Sequence, residues 1–468
     1  MRINLTFESR LFLFMVLVFL SRLPFLDLGY GSEEDAWGLY LTAKNIALNS
    51  RYEVSRLPGH PVQELFYAFI WNSGPKAFNV ITALLGTLGL GFFVSTLRNI
   101  GIRNYFIAGL TLAFIPIIYI HSTNAMDYMW ALSFAMASWY LVTERKYVLA
   151  GIALGIAAGC RITTLAMALP ILLYIIEPLS SKTSIKNIIV YLAATTITSV
   201  IVFVPVINNY GLGFFDYYKH WPYPPIALSL YKFTVASWGI IGFLDLLVAL
   251  LIMFFVMLKR PFILLNYRSN LVLLSAFVAI VLFTISFWMV PFKAAFIIPI
   301  LPFVVLLLSI YLKEIHLKAF CFSMLISCFF LGLNAVGEKN SANHSNAAFL
   351  FEISGRQLAI DVWNGPLKED LSKRKTRSDH ANRILEQTDQ LERPAILISG
   401  YWYNFILGSV NNLEKPTDLE FVYYLDEDDI LKYRSEGFHV YTLSDQILLN
   451  DLRYKKKFTK ELTAEFTP

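Results

Sequence analysis

Apolar residues occur along most of the chain in blocks of about twenty, separated by short polar joints. The blocks lie near residues 11–28, 77–97, 104–121, 126–142, 147–160, 162–178, 187–207, 234–258, 269–290, 296–312 and 319–335. A helix needs about twenty residues to cross roughly 30 Å of hydrocarbon, and lipid cannot satisfy the backbone of an open sheet edge. The pattern therefore predicts a polytopic α-helical membrane protein with about eleven spans.

The stretch at 147–178 is open to two interpretations. One continuous helix would be about 48 Å long. Three glycines and Arg161 interrupt its middle, and a single helix would place the later basic joints on the wrong side of the membrane. Two spans are the better interpretation.

Basic residues lie at alternate joints between the apolar blocks. They are Arg98, Arg103, Arg145, Lys146, Lys182, Lys186, Lys259, Arg260, Arg268, Lys313 and Lys318. The positive-inside rule places these joints and the N-terminus in the cytoplasm. The loops at 29–76 and 208–233 and the C-terminus then lie outside a cytoplasmic (inner) membrane. Because no small-residue cleavage site follows the first block, we expect an uncleaved span and not a signal peptide.

Composition agrees with this architecture. Of 468 residues, 56% are hydrophobic and 16% are charged, whereas soluble domains have roughly 25% charged residues. The net charge of +5 is not concentrated with aromatics in a soluble region, so nucleic acid is not an expected partner. All three cysteines lie inside apolar blocks, which excludes a disulfide framework and a thiolate metal site.

The composition becomes polar near residue 336, where the segment GEKNSANHSN reads as a linker. Beyond it we predict strands at 395–400, 421–425 and 439–443, a helix at 426–436 and a solvated, highly charged loop at 368–377. Residues 336–468 are therefore expected to form a small extracytoplasmic α/β domain. Residues 1–335 are expected to form the transmembrane catalytic domain.

Three consecutive acids, Glu33, Glu34 and Asp35, follow the first apolar block. Packed carboxylates repel one another, which raises the pKa of some of them unless a cation or metal compensates. A raised pKa suits a general base that deprotonates a hydroxyl near neutral pH. The alternative is the start of a charged helix, where acids complement the helix dipole.

The order of residues around these acids carries a family resemblance. Arg-Leu-Pro at 22–24 is followed by the acids, Ala-Lys-Asn-Ile at 43–46, Tyr52, a Pro-Gly-His-Pro turn at 58–61 and Gly74. This order resembles the GT-C glycosyltransferase superfamily, in the branch of protein O-mannosyltransferases and aminoarabinose transferases. The resemblance is carried mainly by residues 1–180 and extends to the later spans only in topology.

The resemblance implies a polyprenyl-phosphate sugar as donor, a glycan, lipid or protein as acceptor, and an acidic pair in the first outside loop. The family usually has Asp followed by Glu, whereas this chain has Glu-Glu-Asp. Glu34 and Asp35 are the favoured candidates for the general base, and Glu33 is the third candidate.

Charged residues also occur in or beside the apolar blocks. A charge at the membrane centre costs about 2.5–3.5 kcal/mol on insertion scales, so Asp127, Arg161 and Lys293 should be paired or functional. The resemblance implies that Asp127 lines the acceptor or donor pocket. A lipid phosphate needs cationic partners, and Arg161 and Lys293, with Arg56 from the first loop, are candidates. Snorkelling to the interface is the alternative.

Two further sets of residues are weaker candidates. His60 and Glu64 share the first loop with the acids and could form a divalent metal site with Glu34 and Asp35, although His60 reads equally well as an ordinary loop histidine. Lys219 lies in an aromatic loop and could contact a phosphate or a sugar ring. Aromatic residues at a membrane interface explain that loop as well.

Together these residues predict an inverting membrane glycosyltransferase that moves a sugar from a polyprenyl-phosphate donor to an extracytoplasmic hydroxyl. One alternative is a transporter or flippase, for which an internal repeat would be typical. The other is a non-catalytic scaffold. An enzyme should bring the acids and cations together within about 10 Å at one cavity.

Overall fold

The computed structural model describes residues 6–176, 182–213, 223–259, 267–335, 345, 347–353, 356–409, 418–444 and 463–466. Its α-helices are α1 (Phe7–Arg22), α2 (Glu34–Asn49), α3 (Pro61–Phe69), α4 (Gly74–Asn99), α5 (Tyr105–Phe114), α6 (Pro116–His121), α7 (Tyr128–Thr143), α8 (Tyr147–Cys160), α9 (Ala168–Leu172), α10 (Lys182–Tyr210), α11 (Ile226–Phe233), α12 (Val235–Trp238), α13 (Ile240–Lys259), α14 (Tyr267–Met289), α15 (Leu301–Tyr311), α16 (Glu314–Phe329), α17 (Pro366–Gln387), α18 (Tyr403–Ser409) and α19 (Glu427–Ser435). The strands are β1 (Gly332–Ala335), β2 (Ala348–Ile353), β3 (Arg356–Asp361), β4 (Ala395–Ile398), β5 (Leu419–Val422), β6 (His439–Leu443) and β7 (Ala464–Phe466).

The protein is an integral membrane protein. Among the described residues, five helical stretches are long and apolar enough to span a membrane: Trp71–Asn99, Lys182–Tyr210, Ile240–Lys259, Asn270–Met289 and Ala294–Tyr311. Helices α10 and α13 expose many large aliphatic side chains, such as Ile201 and Leu251. Such a surface suits lipid and is unusual in a water-soluble protein.

Two predicted spans are broken where the sequence interrupts the helix. The span predicted at 104–121 forms α5 and α6, because Pro116 cannot continue a helix and restricts the preceding residue. The predicted division of 147–178 is confirmed, since α8 ends at Cys160 and Arg161 has an extended backbone before the 3-10 turn Ile162–Met167. In the last predicted span, the helix ends at Phe329 and a strand follows.

Glycines allow the central helices to pack closely. A Cβ on Gly151 would lie 2.5 Å from the carbonyl oxygen of Tyr191, and a Cβ on Gly155 would lie 2.5 Å from Thr198 Cβ. Helix α8 therefore packs backbone to backbone against α10, as small residues permit in membrane helices. This contact fixes the end of α8, from which Arg161 projects.

Two small sheets lie near the C-terminus of the chain. The first is antiparallel with the order β1-β3-β2, and the second is parallel with the order β5-β4-β6-β7. The predicted strands at 395–400, 421–425 and 439–443 correspond to β4, β5 and β6, and the helix predicted at 426–436 is α19.

The prediction of a solvated loop at 368–377 is wrong. These residues lie within α17, whose buried positions include Leu367, Asp370, Arg374 and Ala381. Their spacing of three to seven residues is helical. The high charge was misleading because two of the charged side chains are buried as a pair.

Residues 29–76, predicted as a loop, contain helices α2 and α3. The C-terminal part of the chain packs directly on α2. The ring of Trp37 lies 5.5 Å from that of Phe405 in α18. A Cβ on Gly408 would collide with the Trp37 ring. The start of α2, which carries the three acids, is therefore enclosed by the two parts of the protein.

Candidate functional site

The three acids lie at the start of α2. Glu33 precedes the helix with an extended backbone, and Glu34 and Asp35 form its first turn. Negative charge in this position complements the helix dipole. The acids face different partners, however. Glu33 and Asp35 contact Lys293, while Glu34 lies 3.4 Å from the hydroxyl of Tyr423, after β5.

Lys293 joins two of these acids. It lies in extended backbone after α14 and before the 3-10 turn Ala294–Ile300, and its Nζ donates to both Glu33 Oε2 and Asp35 Oδ2. All three side chains are partly buried, with Asp35 18% exposed. A cation distant in sequence thus lies between two carboxylates of the first loop.

Arg56 and Arg161 meet at a second buried carboxylate. Asp127 directly precedes α7 and is 1% exposed. Arg56 Nη2 lies 2.5 Å from Asp127 Oδ1, and Arg56 Nε lies 3.4 Å from Asp35 Oδ2. Arg161 Nη1 lies 2.8 Å from Asp127 Oδ2. The Arg161 guanidinium also lies 4.6 Å from the rings of Tyr128 and Phe296, a favourable cation–π arrangement.

The result is an unbroken series of alternating charges, which we call the charge chain. Its members, in order of contact, are Glu33, Lys293, Asp35, Arg56, Asp127 and Arg161. Three acids and three cations give formal neutrality. The sequence predicted that acids and cations would converge at one cavity. In the structure these six residues are in contact, and of the six only Glu33 lines the cavity described below.

The charge chain determines the protonation of Asp35. Burial alone would raise its pKa, but Arg56 and Lys293 outweigh burial and hold the pKa of Asp35 well below its ordinary value. Burial alone would lower the pKa of Lys293, but Asp35 and Glu33 raise it well above its ordinary value. Both groups are ionised at neutral pH. The pKa of Asp35 is thus not raised by its neighbouring acids, because cations compensate.

His60 is a buried residue that lies beside Asp127 in the charge chain. It is 3% exposed, its Nδ1 donates to the carbonyl oxygen of Cys160 at 2.6 Å, and the same atom lies 3.7 Å from Asp127 Oδ2. Burial, and then Arg56, lower the pKa of His60. A neutral His60 therefore links the end of α8 to the start of α3.

The structure does not bring the candidate metal ligands His60, Glu64, Glu34 and Asp35 together as a site. Glu64 accepts hydrogen bonds from the Tyr52 hydroxyl at 2.5 Å, from the amide and hydroxyl of Ser55 at 2.7 Å each, and from the His60 amide at 3.2 Å. Its oxygens therefore order the loop. Across the described part of the chain, no group of three or more His, Cys, Asp or Glu residues is placed to hold a metal ion. Lys219 lies outside the described residues.

Sequence reasoning missed the contribution of α17. Asp370 Oδ1 accepts from the Ser32 hydroxyl at 2.5 Å, and Arg374 donates to the carbonyl oxygen of Thr123 at 2.7 Å. The spacing of four between Asp370 and Arg374 is the usual signal for a helical ion pair. It could have been read from the sequence had the segment been predicted as a helix.

A cavity of about 280 Å³ lies beside Glu33. Its apolar wall comes from α6, α12 and β1, and its polar wall from the first turns of α17 and from Ser32. Glu33 is thus the member of the charge chain that borders this cavity. A molecule in the cavity would contact Glu33, whereas Glu34 and Asp35 do not line it.

No family profile and no curated protein matches the sequence. Two solved structures share its fold: ArnT from Cupriavidus metallidurans in the apo state, with a TM-score of 0.56 and 13% identity over 98% of this chain and 89% of that one, and the same enzyme bound to undecaprenyl phosphate, with a TM-score of 0.54 and 13% identity over 98% and 90%. ArnT is an aminoarabinose transferase of the GT-C type. The predicted GT-C fold, polytopic and helical with small sheets near the C-terminus, is confirmed.

Proposed function

We propose that this protein is a membrane glycosyltransferase that transfers a sugar from a polyprenyl-phosphate donor to an acceptor hydroxyl, with inversion. We place the reaction at the extracytoplasmic face of the cytoplasmic membrane. The observation that carries the proposal is the charge chain, in which cations from three separate segments (Arg56, Arg161 and Lys293) pair with acids at the start of α2 and with the acid that precedes α7. The GT-C fold supports it, because ArnT has been solved with undecaprenyl phosphate bound.

In this proposal the cations hold the donor phosphate. Arg56 and Arg161 present planar guanidinium groups, which bind phosphate oxygens bidentately, and Lys293 adds a third positive charge. In the structure these side chains contact carboxylates. The phosphate would take over some of these contacts. As the bond between the sugar and the phosphate breaks, the same cations would stabilise the charge of the leaving group.

Asp35 is the proposed base, with Glu33 as the second candidate because it shares Lys293. The acceptor oxygen attacks the anomeric carbon, the bond from that carbon to the phosphate oxygen breaks, and its electron pair leaves with the lipid phosphate. Asp35 takes the hydroxyl proton. When the phosphate draws Lys293 and Arg56 toward itself, the pKa of Asp35 rises toward its ordinary value, so Asp35 becomes a stronger base when the donor is bound.

The test is incubation of the purified full-length protein with a panel of radiolabelled polyprenyl-phosphate sugars and a set of lipid, glycan and protein acceptors, scoring release of the lipid phosphate. We expect release from at least one donor. The combined variant Glu33→Gln, Asp35→Asn should lose at least about a hundredfold in rate, the usual contribution of a general base. Asp27→Asn is the matched control, because Asp27 is an exposed acid of the same segment whose carboxylate lies 3.1 Å from Lys76 Nζ.

Two outcomes would contradict the proposal. One is the absence of release from every donor by a folded protein that still binds undecaprenyl phosphate, which would favour a flippase. The other is release at the wild-type rate by the combined variant, since bond chemistry would then not depend on these acids.

A further inference from the structure

Two short segments outside the helices each end with an acid of the charge chain. Residues 29–33 lead into α2, and residues 122–127 join α6 to α7. The segments are joined directly, because the amide of Ala125 donates to the carbonyl oxygen of Tyr30 at 2.8 Å. The separation between the two acidic ends therefore depends on how these segments are held together.

Helix α17 holds both segments through one ion pair. Asp370 accepts from the Ser32 hydroxyl at 2.5 Å. Arg374 donates through Nη1 to the carbonyl oxygen of Thr123 at 2.7 Å and through Nη2 to the Thr123 hydroxyl at 3.0 Å. Asp370 and Arg374 lie one helical turn apart and bond to each other at 2.6 Å. Each residue of the pair thus contacts a different segment.

The ion pair is buried and its helix is anchored. Arg374 is 2% exposed and Asp370 is 9% exposed. Arg377, one turn further along, donates to the carbonyl oxygen of Ser32, and the ring of His380 lies 4.6 Å from that of Trp402. A buried ion pair often gives no more stability than apolar side chains of similar volume. What the pair adds here is a fixed geometry between two backbone segments.

We propose that Asp370 and Arg374 are positioning residues that set the spacing between the segment ending in Glu33 and the segment ending in Asp127. The C-terminal part of the chain would thereby determine the geometry of the charge chain. The expected effect on transfer rests on the proposed function. The coupling itself does not, because it can be measured without turnover.

The first test is hydrogen–deuterium exchange on the full-length protein, following a fragment that contains the Ala125 amide. In Asp370→Asn this amide should exchange at least about tenfold faster, since a neutral amide replaces the carboxylate and weakens its contacts with both Arg374 and Ser32. Asp418→Asn is the matched control, because Asp418 accepts from Arg393 at 2.9 Å within the same part of the chain. Its exchange at Ala125 should equal the wild-type rate.

Ser32→Ala provides a second variant if Asp370→Asn does not fold, because it removes one contact and leaves the ion pair in place. It should also accelerate exchange at Ala125. Wild-type exchange in both Asp370→Asn and Ser32→Ala would overturn the proposal, whatever the transfer assay shows. If the wild-type protein transfers sugar from no donor, the proposed function is contradicted. The exchange result alone then decides whether Asp370 and Arg374 are positioning residues.

The second test separates positioning from stability. The combined variant Asp370→Leu, Arg374→Met replaces the pair with apolar side chains, a change that commonly preserves stability. In protein that is folded at the assay temperature, positioning predicts fast exchange at Ala125 and a kcat lowered about tenfold or more with the donor KM unchanged. Recovery of wild-type exchange and kcat together with stability would show that the pair is only structural.

Discussion

Replacing Asp127 with asparagine tests the balance of the charge chain. Asp127 is 1% exposed, and its two oxygens accept from Arg56 at 2.5 Å and from Arg161 at 2.8 Å. The asparagine side chain has nearly the same shape and can still accept a hydrogen bond. It cannot compensate the charge of two guanidinium groups, so the substitution removes the charge and little else.

The magnitude follows from the contacts. Two unit charges 4 Å apart attract by about 4 kcal/mol at an effective dielectric constant of 20, and removing one partner of a buried ion pair typically costs about 3–5 kcal/mol. Arg56 retains Asp35 at 3.4 Å, and Arg161 retains the faces of two aromatic rings. We therefore expect a loss near the lower end, about 3 kcal/mol.

The assay is thermal unfolding of purified protein in detergent, followed by intrinsic fluorescence, with and without undecaprenyl phosphate. Asp127→Asn should unfold at a clearly lower temperature than the wild type. The lipid phosphate should raise its unfolding temperature more than that of the wild type, because the phosphate supplies the missing anion. Asp27→Asn should behave as the wild type, since an exposed ion pair contributes little.

The reasoning would be refuted by a variant that unfolds at the wild-type temperature and gains no more from the lipid than the wild type does. Asp127 would then not compensate the two arginines. The phosphate would not compete with it for them either.

Two further predictions concern the surroundings of the charge chain. Lys293→Met removes one of the two cations that hold the pKa of Asp35 down against burial, so this pKa should rise. The stability that ionised Asp35 contributes should then be lost at a less acidic pH as the pH falls, and the acidic limb of the pH profile of the transfer rate should move to higher pH. An unmoved acidic limb would show that Lys293 does not control the ionisation of Asp35. Glu64→Gln weakens the hydrogen bonds that order the segment from Tyr52 to His60. We expect the free energy of unfolding to fall by about 1–3 kcal/mol and trypsin to cleave this segment faster, whereas unchanged cleavage would show that Glu64 does not order the loop.

Much of the fold could be predicted from the sequence. Apolar blocks of the length of a span predict helices directly, and the break at Arg161 followed from glycines beside a charge. Positive-inside reasoning favoured two segments there, and the structure has them. These features are local, so residues within one helix suffice to show them.

The pairing within the site could not be predicted in the same detail. Lys293 is 260 residues from Glu33, and no local pattern shows which of three adjacent acids a distant cation will contact. The sequence favours Glu34 and Asp35 as the candidate general bases. In the structure, Lys293 contacts Glu33 and Asp35, and Glu34 lies beside Tyr423. Their orientation depends on how α2 packs against the rest of the protein.

Helix α17 was missed for a different physical reason. A segment with many charges normally lies in solvent, and 368–377 was predicted accordingly. In the structure, Asp370 and Arg374 neutralise each other and also bond to backbone and hydroxyl groups of the site. Burial of charge becomes acceptable only when such partners are present, and those partners lie far away in sequence.

The most direct test compares two adjacent carboxylates on the same helix turn, Glu34 and Asp35, in the transfer of radiolabelled sugar from the best donor of the panel. Asp35→Asn should lose at least about a hundredfold in kcat while still binding undecaprenyl phosphate, and Glu34→Gln should lose far less, because Asp35 contacts Lys293 and Arg56 whereas Glu34 lies beside the Tyr423 hydroxyl. Transfer by Asp35→Asn at the wild-type rate, or a greater loss in Glu34→Gln, would contradict the assignment of Asp35 as the base.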